Sequence, residues 1–447
     1  MTADKPAPLI ATPRPTLSVF AAIMIVTGAI VGGGLLTWPS LVAQSAGSVD
    51  GMFSAWALGA LLAFIGALCY AELATAFPHA GGDYHFLTRA YGKDVSFFFA
   101  WARVLVITTG SIALLSLVLG DYLAQWLPLG SHGPSLYAAA VVAILTAVNM
   151  AGLRESARTQ NILSSLLILG LLLVAAASFA AMRGLPSLPA AGSAMPPLMG
   201  GALLFALLAL SGWNEAAYLC AEVKGGGRSI VRVLLGSLGL VVAVYGLLVV
   251  GLWGALGFDG LAHGSAAAID AIKPLLGQTG EALVGALVAL AALTSINAMM
   301  LVAARTQYAL GHDWPILRFL GRWNAQRAVP MAAMAVVGLL SLGLVGLASK
   351  HRSSLQWLVD FTAPVFWFFL MLTGIALFVL RMRYPHATRP FKVPLYPVLP
   401  LVFIGSSAFL LYRSLLFALS HQAIQASVAV VVAGFVAWAL LRLARGS

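Results

Sequence analysis

The chain is expected to fold as an all-α integral membrane protein. Composition, the spacing of its apolar runs, and the side of those runs on which its basic residues fall all predict this. Of the 447 residues, 61% are hydrophobic and 9% are charged, whereas a soluble domain carries about 25% charged residues. A soluble globular fold is excluded, and so is intrinsic disorder, which needs low hydrophobicity and high charge. The net charge is +11, from 25 Lys and Arg against 14 Asp and Glu. These basic residues lie between long apolar runs, so they speak for membrane topology, and no nucleic-acid partner is expected. The two cysteines, Cys69 and Cys220, form no metal-ligand spacing and no disulfide framework.

A membrane-crossing helix needs about 20 mostly apolar residues. Twelve runs meet this length, near 17–46, 51–77, 95–127, 135–151, 159–182, 198–221, 231–257, 280–304, 329–348, 355–381, 395–417 and 423–443. The first is too long for a cleavable signal and continues through Gly32-Gly33-Gly34 into Trp38-Pro39. Twelve crossings place both termini on one side. With the N-terminus in the cytoplasm, 19 of the 25 Lys and Arg fall in cytoplasmic segments and only Arg183, Lys273, Lys350 and Arg352 in outer loops. That asymmetry predicts cytoplasmic termini, because one missed span would scramble every later loop. The expected division is a Pro-rich cytoplasmic tail (1–16), spans one to five (17–197), spans six to ten (198–385), and spans eleven and twelve with the C-terminal tail (386–447).

Two spans should not remain regular helix. The first contains Thr27-Gly28-Ala29-Ile30-Val31-Gly32-Gly33-Gly34, and each interior Gly costs about 1 kcal/mol relative to Ala. The sixth contains Leu208-Ala209-Leu210-Ser211-Gly212-Trp213-Asn214-Glu215, a polar stretch in the middle of an apolar run. Irregular backbone at membrane depth is tolerated only inside protein or along a water-filled cavity. The breaks open two sets of five spans, and interrupted helices in corresponding positions point to an inverted-repeat transporter. Unwinding exposes N–H groups at one half-helix start and carbonyls at the preceding end. The first attract a carboxylate and the second an ammonium, so the pair suits a zwitterion such as an amino acid. Close helix packing is the competing explanation for either Gly-rich stretch alone.

Five motifs follow in order: Ile30–Leu36; Tyr70-Ala71-Glu72-Leu73 with Phe77–Tyr84; Gly212-Trp213-Asn214 with Ala221–Lys224; Ser295-Ile296-Asn297 through Arg305 to Asp313; and Arg389–Pro394. On these residues, from about 17 to 405, the chain resembles the amino acid–polyamine–organocation superfamily, in particular bacterial permeases related to the L-type amino acid transporters. The resemblance implies a ten-helix inverted-repeat core with discontinuous helices one and six, two added helices, alternating access, and neither catalysis nor a cofactor. It implies a substrate carboxylate on the N–H groups of Gly33 and Gly34, beside Gly32. It places the amino group near carbonyls of Ile30, Leu208 and Ser211, and the side chain toward Gly212, Trp213 and Asn214. Three positions depart from the family pattern. Gly33 stands at the usual serine, Leu208 at the usual aromatic gate, and Leu167 at a lysine that stands in for a sodium ion or titrates in some members.

Ionisable groups inside spans are functional candidates by default. Glu215, next to the second break, is expected either to recognise a cationic substrate or carry a proton, or to pair within the bundle. Glu72 and Glu222, near basic loops, are expected to hold an inner gate by ion pairing; Arg103 is expected to be structural, as a partner for either or by snorkelling. Asp360 is expected at a helix start or gate. Thr294 and Ser295 could offer hydroxyls to a sodium ion, although backbone satisfaction is commoner. No metal site is expected, since no two His share a span at i, i+4 spacing. The aromatic runs Phe97–Phe99 and Trp367–Phe369 are expected to be packing surfaces. The leading reading is a secondary transporter of neutral or bulky apolar amino acids in a bacterial inner membrane, working by exchange. A cationic amino acid or polyamine transporter using Glu215 is the alternative, and a non-transporting amino acid receptor a remote one. The two added helices make an oligomer conceivable by analogy only.

Overall fold

The computed structural model describes residues 13–32, 34–182, 199–264, 266–350, 353–420 and 424–443. In chain order its α-helices are α1 (Val19–Ile30), α2 (Trp38–Ala46), α3 (Val49–Ala76), α4 (Asp83–Tyr91), α5 (Lys93–Ala102), α6 (Thr109–Trp126), α7 (Gly133–Ala151), α8 (Leu153–Ala180), α9 (Met199–Ala209), α10 (Gly226–His263), α11 (Ala267–Asp313), α12 (Met331–Lys350), α13 (Ser353–Arg383), α14 (Val398–Ser420) and α15 (Ile424–Leu443). Among the described residues, nine helical stretches are long and apolar enough to cross a membrane, and Val19–Ile30 and Val432–Leu443 are shorter apolar helices. The sequence run near 17–46 is divided into α1 and α2, and the run near 198–221 is divided after α9. A π-helical turn, Arg103–Thr108, joins α5 to α6 within one 34-residue stretch.

The elements follow local chemistry. Ser18 and Ser48 cap α1 and α3, their hydroxyls accepting the N–H groups of Ala21 and Gly51 at 3.1 Å. Along α8, Gln160, Ser164, Leu167, Leu171 and Val174 are buried, while Ile162, Leu166, Leu169 and Leu173 are exposed apolar residues. Both sets recur every three or four residues, which gives the helix one face for the bundle and one for lipid. The bundle face also carries a polar chain. Ser164 donates to the Met24 carbonyl at 2.9 Å and Gln160 to Ser164 at 3.0 Å. Asn297 donates to Gln160 at 2.7 Å, Asn149 to Asn297 at 2.8 Å, and Ser156 to Asn149 at 2.7 Å. These bonds link α1, α7, α8 and α11, and they satisfy side chains that would be costly to bury unpaired.

The end of the bundle that carries most basic residues is closed by two buried ion pairs. Glu72 of α3 accepts from Arg381 of α13 at 2.7 and 2.6 Å, and from the Val393 N–H at 2.7 Å. Glu222 accepts from Arg305 of α11 at 2.5 and 2.7 Å. Each is a two-toothed guanidinium–carboxylate contact, the strong form of such pairs. The pairings anticipated for Glu72 and Glu222 are therefore present. Arg103, the partner considered for them, pairs elsewhere. The aromatic runs are only partly packing surface: Phe368 is exposed, but Trp367 and Phe369 are buried and face cavities described below. The side chain of Asp360 lies outside the described residues.

The α6–α7 hairpin rests on a close approach. A Cβ added to Gly120 would sit 2.1 Å from the Pro134 carbonyl oxygen, a backbone atom that cannot swing away. Gly120→Ala is expected to cost about 1–3 kcal/mol, the range for overpacking. Thermal unfolding of the purified protein in detergent checks this; an unchanged midpoint would contradict the packing.

Candidate functional site

The first break begins where α1 stops following helical hydrogen bonding. The Val31 N–H still reaches the Thr27 carbonyl at 2.9 Å, but the Gly32 N–H turns back to Ile30 at 3.0 Å. The Gly28 carbonyl thereby loses its partner four residues on. Ser295 of α11 replaces it: its hydroxyl lies 2.8 Å from the Gly28 carbonyl and 2.9 Å from that of Val31. Among the described residues, the Gly34 N–H has no backbone acceptor, and it is the kind of free donor that a carboxylate takes. A Cβ on Gly32 would meet open space. Gly33 lies outside the described residues. The chain re-enters helix at Trp38, with Pro39 in the first turn, where the missing N–H costs nothing.

The second break has its own cap. Both the N–H of Ser211, at 3.2 Å, and its hydroxyl, at 2.7 Å, reach the Leu208 carbonyl. Gly212 then adopts φ 102° and turns the chain into a 3₁₀ segment, Trp213–Tyr218. That conformation favours glycine, and space requires glycine as well. A Cβ at this position would lie 2.9 Å from the Ala29 carbonyl oxygen and 3.2 Å from the Ile30 Cα. The two breaks thus meet backbone against backbone. On one side of that contact, Trp38 of α2 and Phe205 of α9 bring their rings to 6.2 Å. Phe205, one turn before Leu208, supplies an aromatic contact that Leu208 itself lacks. On the other side, the Leu17 N–H donates to the Glu222 carbonyl at 2.8 Å and the Lys224 N–H to that of Leu17 at 2.9 Å.

The anticipated site residues separate into two groups. Ser211, Gly212, Trp213 and Asn214 line a narrow cavity, with Phe366, Trp367 and Leu370 of α13 and Phe403 of α14 among its walls. Asn214, Phe366 and Leu370 are shared with a second narrow cavity that Tyr70, Asp83 and Arg103 also border. Ile30, Gly32, Gly34 and Leu208 do not line either cavity; Ile30 lies across the contact made by Gly212, on the α1 side. The Ile30 and Leu208 carbonyls each accept a local bond, whereas the carbonyls freed from α1 are those of Gly28 and Val31.

Glu215 is occupied. Its carboxylate lies 2.5 Å from the Arg103 guanidinium, and the side chains are only 17% and 5% exposed. The Arg103 guanidinium also sits 4.2 Å from the centre of the Tyr218 ring, a cation–π geometry. The π-helical turn that begins at Arg103 adds a residue to this span, the kind of irregularity often found at functional sites. Thr294 spends its hydroxyl on the Leu290 carbonyl of its own helix at 2.6 Å. Leu167 is buried beside a small apolar cavity that Thr27, Val31 and Tyr245 also line. Thr27 Oγ1 and Tyr245 Oη are buried there and, among the described residues, have no hydrogen-bond partner.

Sequence reasoning missed the α13 and α14 walls. Phe366, Phe369 and Leu370 share one helical face by their i, i+3 and i+4 spacing, but an apolar stretch does not reveal which way that face turns. It also missed Asp83, which the fold buries under the helix-six segment.

A family model described as amino acid permease matches residues 17–438. The chain is 25% identical to the b(0,+)-type amino acid transporter 1 of Mus musculus, over 88% of this chain and 81% of that protein. It is 27% identical to the Asc-type amino acid transporter 1 of the same organism, over 89% and 76% of the two chains. A third mouse relative, the large neutral amino acids transporter small subunit 2, shares 27% identity over 89% and 76%. With a family match spanning nearly its whole length, the chain belongs to the amino acid permease family, a family of multi-pass membrane proteins.

Proposed function

We propose that this protein is a secondary transporter of neutral, apolar L-amino acids that works by alternating access and exchange. The observation that carries this reading is the meeting of two broken helices at Gly212, with the Gly34 N–H, which has no backbone acceptor among the described residues, on one side and the Ser211–Asn214 cavity on the other. One break offers donors to a carboxylate, and the wall of the other offers apolar and aromatic surface to a side chain. The relatives, all amino acid transporters by name, support amino acid transport as the activity. We read the architecture as twelve spans in two inverted sets of five, with helices one and six interrupted. The basic-residue asymmetry supports cytoplasmic termini in a bacterial inner membrane. In the conformation described, the breaks touch, so substrate entry requires the helix-six segment to part from α1.

A neutral substrate is favoured because Glu215 already holds Arg103. A compensated carboxylate offers little to a second cation, and extracting it would leave a buried guanidinium unpaired. Exchange is favoured because Leu167 and the hydroxyl of Thr294 provide no site for a coupling cation.

Three outcomes are expected in proteoliposomes. Leucine counterflow exceeds that of arginine or putrescine; preferential uptake of the cations would contradict the reading of Glu215. Gly212→Ala, which combines left-handed strain of about 1–3 kcal/mol with a backbone clash, abolishes counterflow while the protein still reaches the membrane. Wild-type flux in that variant would remove the site. Leu167→Lys places an ammonium beside the first break and alters the pH profile of transport relative to wild type; an unaltered pH profile would contradict the position assigned to Leu167.

A further inference from the structure

Three carboxylates are buried at the basic end of the bundle, and they are unequally matched. Glu72 and Glu222 each take two bonds from a guanidinium. Asp83, at the start of α4 and 3% exposed, has no ion-pair partner among the described residues. Its Oδ2 accepts from the Tyr218 hydroxyl at 2.8 Å. Its Oδ1 lies 3.4 Å from Thr373 of α13, whose hydroxyl is closer, at 3.0 Å, to the Phe369 carbonyl. The titratable and charged groups facing it are Tyr70 of α3, Arg103 of the π-helical turn, and Tyr218 and Glu215 of the helix-six segment. Arg103 is spent on Glu215, so this cluster holds two carboxylates and one cation. Burial pushes the Asp83 carboxyl above the usual carboxylate range. Asp83 also borders the cavity that reaches Asn214 at the second break.

We propose that Asp83 is a proton-binding site, protonated while the helix-six segment is closed upon it and ionised when Tyr218 moves away. This rests on the alternating-access reading for what opening means. The sign follows from linkage. A group whose affinity for protons is higher in the closed state stabilises that state at low pH, and the stabilisation is lost as pH rises through the raised value. Rising pH on the basic side therefore favours opening there. No ion pair breaks in this step: as the helix-six segment parts, water reaches the Asp83 carboxyl, and the relief of burial outweighs the loss of the Tyr218 hydrogen bond, so the proton leaves for solvent.

Two measurements on the purified full-length protein test this. In infrared difference spectra collected across about pH 5 to 8, wild type is expected to show the carbonyl stretch of a protonated carboxylic acid, lost in Asp83→Asn. This readout needs no transport, so its failure is separate from failure of the transport reading. Absence of the band, or its persistence in Asp83→Asn, would overturn the proposal. Counterflow is expected to rise with internal pH in wild type and to become pH-independent in Asp83→Asn, which mimics the protonated form. Should Asp83→Asn not accumulate, Tyr218→Phe removes the strong donor, and the infrared band is expected to persist to higher pH. An unmoved midpoint in Tyr218→Phe, or a wild-type pH profile in Asp83→Asn, would overturn the proposal.

Discussion

The backbone contact between Gly212 and the Ala29–Ile30 peptide is the constraint on which the rest of the structure depends. Two helices can be interrupted inside a membrane only if the freed polar groups find partners. Here the partners are local. Ser295 serves the carbonyls freed from α1, and Ser211 turns back to cap α9. With those groups satisfied, the remaining gap between the interruptions is set by how closely two main chains approach. Glycine is the residue that allows it, because a side chain would collide with a carbonyl oxygen rather than with a movable group.

The same contact explains how the two ends of the bundle are related. α1 and the helix-six segment are joined near Leu17 and Glu222 by two main-chain bonds. α2 and α9 are joined by the Trp38–Phe205 ring contact. Separating the interrupted helices at one end therefore strains different bonds from separating them at the other. At the basic end the ties are the carboxylate–guanidinium pairs of Glu72 and Glu222. Losing one partner of such a pair costs about 3–5 kcal/mol, so a conformational change is expected to move whole pairs rather than split them. Asp83, held by a phenol rather than a guanidinium, is the weaker tie in that region.

Much of this was legible in the sequence where the signal was local. Three consecutive glycines and a Ser–Gly–Trp–Asn stretch inside apolar runs are expensive in a helix whatever surrounds them, and both became breaks. Leu167 was readable as an apolar replacement, and it lies beside an apolar cavity. The ion pairs of Glu72 and Glu222 followed from carboxylates placed near basic loops. What depended on three-dimensional rotation was not legible. From sequence, Arg103 is expected to pair with Glu72 or Glu222 or to snorkel, whereas the span that carries its π-helical turn, a feature with no mark in composition, brings it to Glu215. Phe366 and Trp367 belong to an aromatic run that reads equally as a lipid face or a cavity wall. Asp83 sits in a connection between spans, and its burial arises from Tyr218, 135 residues further along.

The central claim is that free main-chain groups at the first break, together with the second break, select a zwitterion. The most direct measurement is equilibrium binding of leucine to the purified protein, compared with isoamylamine, which lacks the carboxylate, and 4-methylpentanoate, which lacks the ammonium. The account predicts that leucine binds and that each one-charge analogue binds at least about tenfold more weakly, since each loses a charge-assisted hydrogen bond worth about 1.5–3 kcal/mol. Equal binding of either analogue would contradict it.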